Sequence, residues 1–207
     1  MKTLKKTTFV AAIMFSSLIY SQNEMLFGIN GGATYSNTRG NVIADEGNAS
    51  LDFLIGFAAE YSISESFSIK INLNYERKTT SIESITFENT NIRTTYSYLT
   101  LPILAKYSFG SSKDFYLNGG PFVGFLLNAK SKADDFPSAT FTDLQNKVDV
   151  GLSVGIGKRF ELSDSNSLDV EIRNNLGLVN ISAVKVIDDA TVKTNAINLI
   201  LMYNFTL

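Results

Sequence analysis

The chain has 207 residues, a formal net charge of -2 and 44% hydrophobic residues, but only 18% charged ones, below the roughly 25% of an average soluble domain. It contains no cysteine, histidine or tryptophan, which excludes disulfides, thiolate or imidazole metal ligation, a lipid-bearing cysteine and any catalysis that relies on an imidazole base. The length suits one domain, and the charge balance supplies no basic stripe of the kind that nucleic acid requires.

Residues 1–21 read as a secretory signal. Lys2, Lys5 and Lys6 precede an apolar run from Phe9 to Phe15, and Ser16, Ser17 and Ser21 follow it. Cleavage is expected after Ser21, although Ile19, three positions before the cut, is larger than the usual small residue. The apolar run is too short to anchor the chain across a bilayer. Removing the three lysines takes the charge from -2 to -5, and residues 22–207 form the exported domain. Within that domain no uninterrupted apolar stretch approaches about 18 residues, so any membrane crossing must use strands.

From about Glu24 the dominant signal is period-two alternation, which puts every second side chain on one face of a pleated strand. Eight such segments fall at roughly residues 24–35, 50–63, 66–79, 95–109, 114–128, 147–161, 166–180 and 194–207. In the second, Leu51, Phe53, Ile55, Phe57, Ala59, Tyr61 and Ile63 alternate with a face that includes Asp52, Gly56, Glu60 and Ser62. The third sets Phe67, Ile69, Ile71, Leu73 and Tyr75 against Ser68, Lys70, Asn72, Asn74 and Glu76. The sixth sets Val148, Val150, Leu152, Val154 and Ile156 against Asp149, Gly151, Ser153, Gly155 and Gly157, and the seventh sets Leu168, Val170 and Ile172 against Asp169, Glu171 and Arg173.

The connections alternate in length. Short polar turns lie at residues 64–65, 110–113 and 163–165, and longer segments at residues 37–49, 80–94, 129–146 and 181–193. An even number of strands closes an antiparallel barrel, with short turns at the periplasmic end and longer loops outside. Both chain ends fall on the short-turn side. The fold expected is all-β: an eight-stranded antiparallel up-and-down transmembrane β-barrel.

Alternation does not by itself say which face is outside, since a soluble sandwich also alternates. Aromatic residues near the ends of the apolar faces, as in Phe27 and Tyr35, Phe53 and Tyr61, or Phe67 and Tyr75, suit the two girdles at membrane interfaces. The last segment alternates Leu199, Leu201, Tyr203, Phe205 and Leu207, and lipid cannot satisfy an open strand edge, so this strand must pair to close the barrel. With the apolar face on lipid, Glu60, Lys70, Glu76, Lys106, Asp149, Arg159, Glu171 and Arg173 point into the lumen. An eight-stranded barrel is only wide enough for side chains to fill it, so these groups should pair with one another as a polar core. The alternative is a soluble secreted or periplasmic β-barrel that holds a small apolar ligand, with its apolar residues in the cavity and its charges in water.

Residues 98–107, YLTLPILAKY, followed by residues 115–129, FYLNGGPFVGFLLNA, resemble the PorT-like outer-membrane β-barrel family. Residues 149–157, DVGLSVGIG, and 168–180, LDVEIRNNLGLVN, are similar to that family's sixth and seventh strands. The resemblance implies an outer-membrane barrel, usually of unassigned task. Pro102 and Pro121 lack amide donors, so each should lie at a bulge or a locally unpaired point.

No enzymatic chemistry stands out. A Ser-Lys arrangement has no local pair, and the glycines at 119–120 and 155–157 lead into no helix of the phosphate-binding kind, so close backbone packing within strands is their expected role. Asp134-Asp135 and Asp188-Asp189 lack EF-hand spacing and read as solvated loop charge. Residues 80–94, with Ile82, Ile85 and Phe87 among polar neighbours, are expected to extend a hairpin beyond the membrane. The expectations are therefore a monomeric, non-enzymatic barrel with a structural or interaction role in the cell envelope. It needs no catalytic residue, cofactor or metal, contacts outer-membrane lipid, and meets any envelope protein partner through its external loops.

Overall fold

A computed structural model describes residues 25–40, 48–84, 90–133, 136–183 and 191–206. The expected export signal, residues 1–21, lies outside them. The strands are β1 (Met25–Gly40), β2 (Asn48–Ser62), β3 (Phe67–Ser84), β4 (Thr90–Phe109), β5 (Phe115–Ala133), β6 (Ala139–Thr140), β7 (Val148–Ser163), β8 (Asn166–Gly177) and β9 (Val192–Thr206). Each long strand pairs antiparallel with the next, β4 pairs with β5, and β9 returns to β1 from Leu26↔Thr206 through Gly40↔Val192. Eight strands thus close a barrel with no free edge. The two-residue β6 stands outside the ring, paired only with Lys130 and Ser131 of β5.

The short-turn end is built from compact reversals. Phe67 N–H donates to Ser64 O at 3.3 Å, and Lys113 N–H donates to Gly110 O at 3.2 Å. Gly110 has φ +93°, where a side chain would be strained. A two-residue turn joins Ser163 to its partner Asn166.

The pleat faces the way that membrane insertion requires. Phe53, Ile71 and Val154 are 44%, 40% and 64% exposed, whereas Glu60, Lys70 and Asp149 are 5%, 0% and 0% exposed. Soluble monomers rarely expose contiguous apolar patches beyond a few hundred Å²; here the apolar face runs around the whole cylinder. Aromatic pairs mark its two edges, Phe27 with Phe205 and Phe109 with Phe115 near the turns, and Phe53 with Tyr75 near the long connections. From Phe27 to Tyr35 the strand runs roughly 26 Å at about 3.3 Å per residue, which at a tilt of about 40° spans about 20 Å of a hydrocarbon band of about 25 Å and leaves the aromatic rings near its two boundaries.

The strands reach further toward the long-connection end than alternation indicated. β3 and β4 stay paired through Ile82↔Ile92 to Ser84↔Thr90, so the segment at residues 80–94 extends the hairpin; Ile85 and Phe87 lie outside the described residues. Beyond the apolar belt both faces of the wall are polar, and the period-two contrast fades although Thr and Ser still pair across strands. In contrast, β8 ends at Gly177, short of residue 180. Around the two prolines the ladder loses pairs without changing register: β4 and β5 pair at Pro102↔Phe122 and resume at Ala105↔Gly119.

Replacing Val154 by Arg at mid-belt should reduce folding stability in phospholipid bilayers by about 2–4 kcal/mol, whereas Ser165→Arg in the turn should cost close to nothing. Denaturant titration in vesicles measures both.

Candidate functional site: the charged lumen and its external lid

Lumen-facing positions recur every second residue, so each strand delivers a column of polar groups. β3 supplies Ser68, Lys70, Asn72, Asn74, Glu76 and Lys78, and β8 supplies Ser167, Asp169, Glu171, Arg173 and Asn175, all buried. Nearest the turns, Glu60 accepts hydrogen bonds from Lys106 Nζ at 2.9 Å, Ser68 Oγ at 2.9 Å and Arg159 Nη2 at 3.0 Å. Arg159 also forks onto Asp169 through Nε at 2.8 Å and Nη2 at 3.0 Å. One layer further out, Glu171 takes Lys70 Nζ at 3.0 Å, Tyr116 Oη at 3.0 Å and Arg173 Nε at 2.6 Å. Lys70 and Lys106 both sit over the Tyr116 ring, at 5.3 and 4.3 Å from its centroid.

Gly157 makes room for that ring. A Cβ at this position would fall on Tyr116 ring atoms, and one at Gly151 would meet Phe122 and the Leu176 carbonyl. Gly157, Gly155 and Gly151 of β7 lie directly opposite Tyr116, Asn118 and Phe122 on the adjacent β5, so they serve close packing between neighbouring strands.

Of the eight residues singled out from the sequence, Glu60, Lys106 and Arg159 meet in one cluster, and Lys70, Glu171 and Arg173 in the next. Glu76 and Asp149 depart from the expectation of mutual pairing. Glu76 has no cation in ion-pair range among the described residues and instead accepts from the amides of Asn198 at 2.9 Å and Asn175 at 3.2 Å. Asp149 pairs with Lys78 at 3.1 Å, and Thr194 Oγ1 bridges the two, donating to Asp149 at 2.6 Å. Lys78 and Asp169 complete the lumen set without having been singled out. Lys78 continues the same β3 face two residues past Glu76, and Asp169 lies on the polar face of β8, so plain alternation marks both. Among the described residues the set holds five acids, Glu60, Glu76, Asp149, Asp169 and Glu171, and five bases, Lys70, Lys78, Lys106, Arg159 and Arg173.

The lumen is not polar throughout. Leu54 and Ala58 of β2 point inward to meet Ile200 and Met202 of β9. A larger apolar cluster lies beyond the Lys78–Asp149 pair, where Tyr96, Tyr98, Leu126, Ala129 and Ile181 pack together with Phe141 and Val192 against them. Ile181 comes from the connection after β8 and is held by its neighbours: its N–H donates to Val192 O at 2.8 Å, and its carbonyl accepts from Asn146 N–H at 2.8 Å. The connection after β5 contributes Phe141, whose N–H donates to Ala129 O at 3.0 Å and whose ring meets Tyr96 edge-on at 6.0 Å. Two external connections thus interlock into a lid over a charged lumen. The residues Asp134, Asp135, Asp188 and Asp189 lie outside the described ones.

This interior overturns the alternative of a soluble barrel with an apolar ligand cavity. Charges fill the space that such a ligand would need, and the apolar faces of the strands look outward.

A closed eight-stranded barrel with an apolar exterior, paired charges within, short turns at one end and longer connections at the other is an outer-membrane β-barrel. The chain belongs to the outer membrane protein beta-barrel domain family, whose model matches residues 20–183. Among solved structures it is similar to Neisserial surface protein A, with 13% identity over 87% of this chain and 97% of that one and a TM-score of 0.50. It is also similar to outer membrane protein W of E. coli, with 13% identity over 91% of this chain and all (100%) of that one and a TM-score of 0.50. At these identities the likeness is one of fold. Among curated proteins none matches the chain in sequence. The protein resides in the outer membrane.

Lys78→Met should destabilise the barrel by about 3–5 kcal/mol, because Asp149 is left buried without its cation, while adding Asp149→Leu should recover much of that loss. Unfolding titrations of the single and double variants measure the difference.

Proposed function

We propose that the protein is a closed, non-enzymatic outer-membrane barrel with a structural or interaction role in the cell envelope, whose working surface is its external hairpins. The observation that carries this reading is the filled interior. Among the described residues, five acids and five bases fill the lumen from the turn end toward the lid, and the Ile181 lid covers its external end. A solute path would have to break buried ion pairs, each of which leaves an uncompensated charge when opened. The absence of histidine removes the usual base of enzymatic barrels and supports the non-enzymatic reading. Closure without a free edge supports a monomer, since no strand needs a second copy. The PorT-like placement is part of the same proposal, supported by the Leu-Pro and Gly-Pro strands around Pro102 and Pro121.

In planar bilayers the purified barrel should give no single-channel steps, and regular conductance steps would overturn the closed reading. The interaction role predicts that replacing residues 82–92 by a two-residue turn leaves folding intact but abolishes co-purification of an envelope partner after cross-linking in cells; unchanged recovery would move the role away from this hairpin. Residues 1–21 are proposed to be the export signal, so mass spectrometry of the membrane-inserted protein should find an N-terminus at Gln22.

A further inference from the structure

We propose that the outward face of β3–β5, where the apolar belt meets external water, binds a phosphate-bearing glycolipid of the outer leaflet. The site lies outside the cylinder, so its occupancy does not depend on whether the lumen conducts.

The sequence builds this face through one irregularity. In β5, Tyr116, Asn118, Phe122 and Leu126 turn inward at even positions. The β4–β5 register then shifts, from Tyr98↔Leu126 to Ser97↔Asn128, which leaves Leu127 as an extra residue. Such a bulge reverses the parity of the residues beyond it. Ala129 is buried, while Lys130 and Lys132 become exposed. Without the bulge both lysines would have entered the lumen.

The register places Lys132 directly opposite Arg93, and Lys130 directly opposite Thr95. Like charges facing each other across a strand pair are destabilising, yet here Arg93 and Lys132 share one depression of about 600 Å³ with Arg77 and Lys130. The single carboxylate in its lining is Asp52, which lies 3.4 Å from Arg77 Nε. Four cations against one acid leave a surplus of three among the described residues. Arg93 is held over the depression by its own donation to Leu51 O at 2.7 Å. Such a cluster is built to receive an anion with several oxygens, because a guanidinium fork matches phosphate geometry and the ammonium groups add point charge.

The depression borders the belt at Tyr75. Tyr75 lines it and lines a neighbouring apolar groove of about 700 Å³, together with Ile55, Phe57, Leu73, Leu99 and Leu201. The groove exists because Gly31 faces outward between Ile55 and Leu201. A Cβ at Gly31 would meet nothing nearer than Leu54 O at 3.8 Å, so no contact demands a glycine there. A charged depression at the membrane boundary that shares an aromatic wall, Tyr75, with an acyl-sized groove fits one amphipathic molecule, with its phosphates among the four cations and a chain along Gly31. A soluble sugar phosphate would use only the upper half.

The test is lipid retention by the mature barrel in detergent, read by native mass spectrometry. The probes are diphosphoryl lipid A, phosphatidylcholine and soluble glucose 1,6-bisphosphate. Wild type should retain diphosphoryl lipid A at least about tenfold more tightly than phosphatidylcholine, and R93Q/K132Q should lose that preference, a change on the scale of one charge-assisted contact. The substitution removes a like-charge pair, so folding is preserved, and heat-dependent gel mobility verifies it. Gly31→Leu should weaken lipid A with the cations intact, and Lys113→Gln in a periplasmic turn should change nothing. Equal retention by wild type and R93Q/K132Q would overturn the site. Glucose 1,6-bisphosphate binding as tightly as lipid A, with no effect of Gly31→Leu, would overturn the lipid assignment in favour of a soluble phosphorylated ligand.

Discussion

The hydrocarbon interior of a membrane offers no hydrogen-bond partner, and both the wall and the lumen of this barrel are shaped by that lack. Every backbone amide in the belt must be satisfied by the chain itself. The pairing of β9 with β1 over its whole length is therefore obligatory. Within the belt the same condition sends the polar side chains inward. An eight-stranded cylinder is too narrow to hydrate them freely, so they must satisfy one another.

That requirement explains the composition of the interior. Acids and bases occur in equal number, and carboxylates take several donors each, as Glu60 does from Lys106, Ser68 and Arg159. Tyr116 lies between the two inner clusters, accepting cations on its face and donating its hydroxyl to Glu171. Gly157, directly opposite on the adjacent β7, gives it space. On the proposed reading of a closed lumen, attention moves to the outside of the barrel: the hairpins beyond the lid, and the boundary where β3, β4 and β5 present their cations. The bulge at Leu127 links the two. It turns Lys130 and Lys132 outward while keeping Ala129 beneath the lid.

Much of this was legible in the residues because a strand's period of two is short and the chemical contrast between lipid and lumen is steep. Ile71 beside Lys70 and Asn72, or Val154 between Ser153 and Gly155, can adopt only one orientation once the outside is apolar. Strand number, turn polarity and the lumen address of the eight ionisable residues come from that contrast. The partners do not. Whether Glu76 meets a cation or the amides of Asn175 and Asn198 depends on strand stagger, which alternation does not encode. The lid was invisible for a different reason: Ile181 lies past the end of β8, where no period applies. The fate of Lys130 and Lys132 depended on a one-residue register shift that has no signature in composition.

Because the chain has no tryptophan, a single introduced indole reports on its own surroundings. Val154→Trp, on the apolar exterior, and Phe122→Trp, in the lumen, should be compared in bilayers containing lipids brominated on their acyl chains. Strong quenching is expected at position 154 and little at position 122. Quenching at 122 with position 154 unaffected would mean that the greasy face lies inside, which contradicts an apolar exterior around a charged lumen.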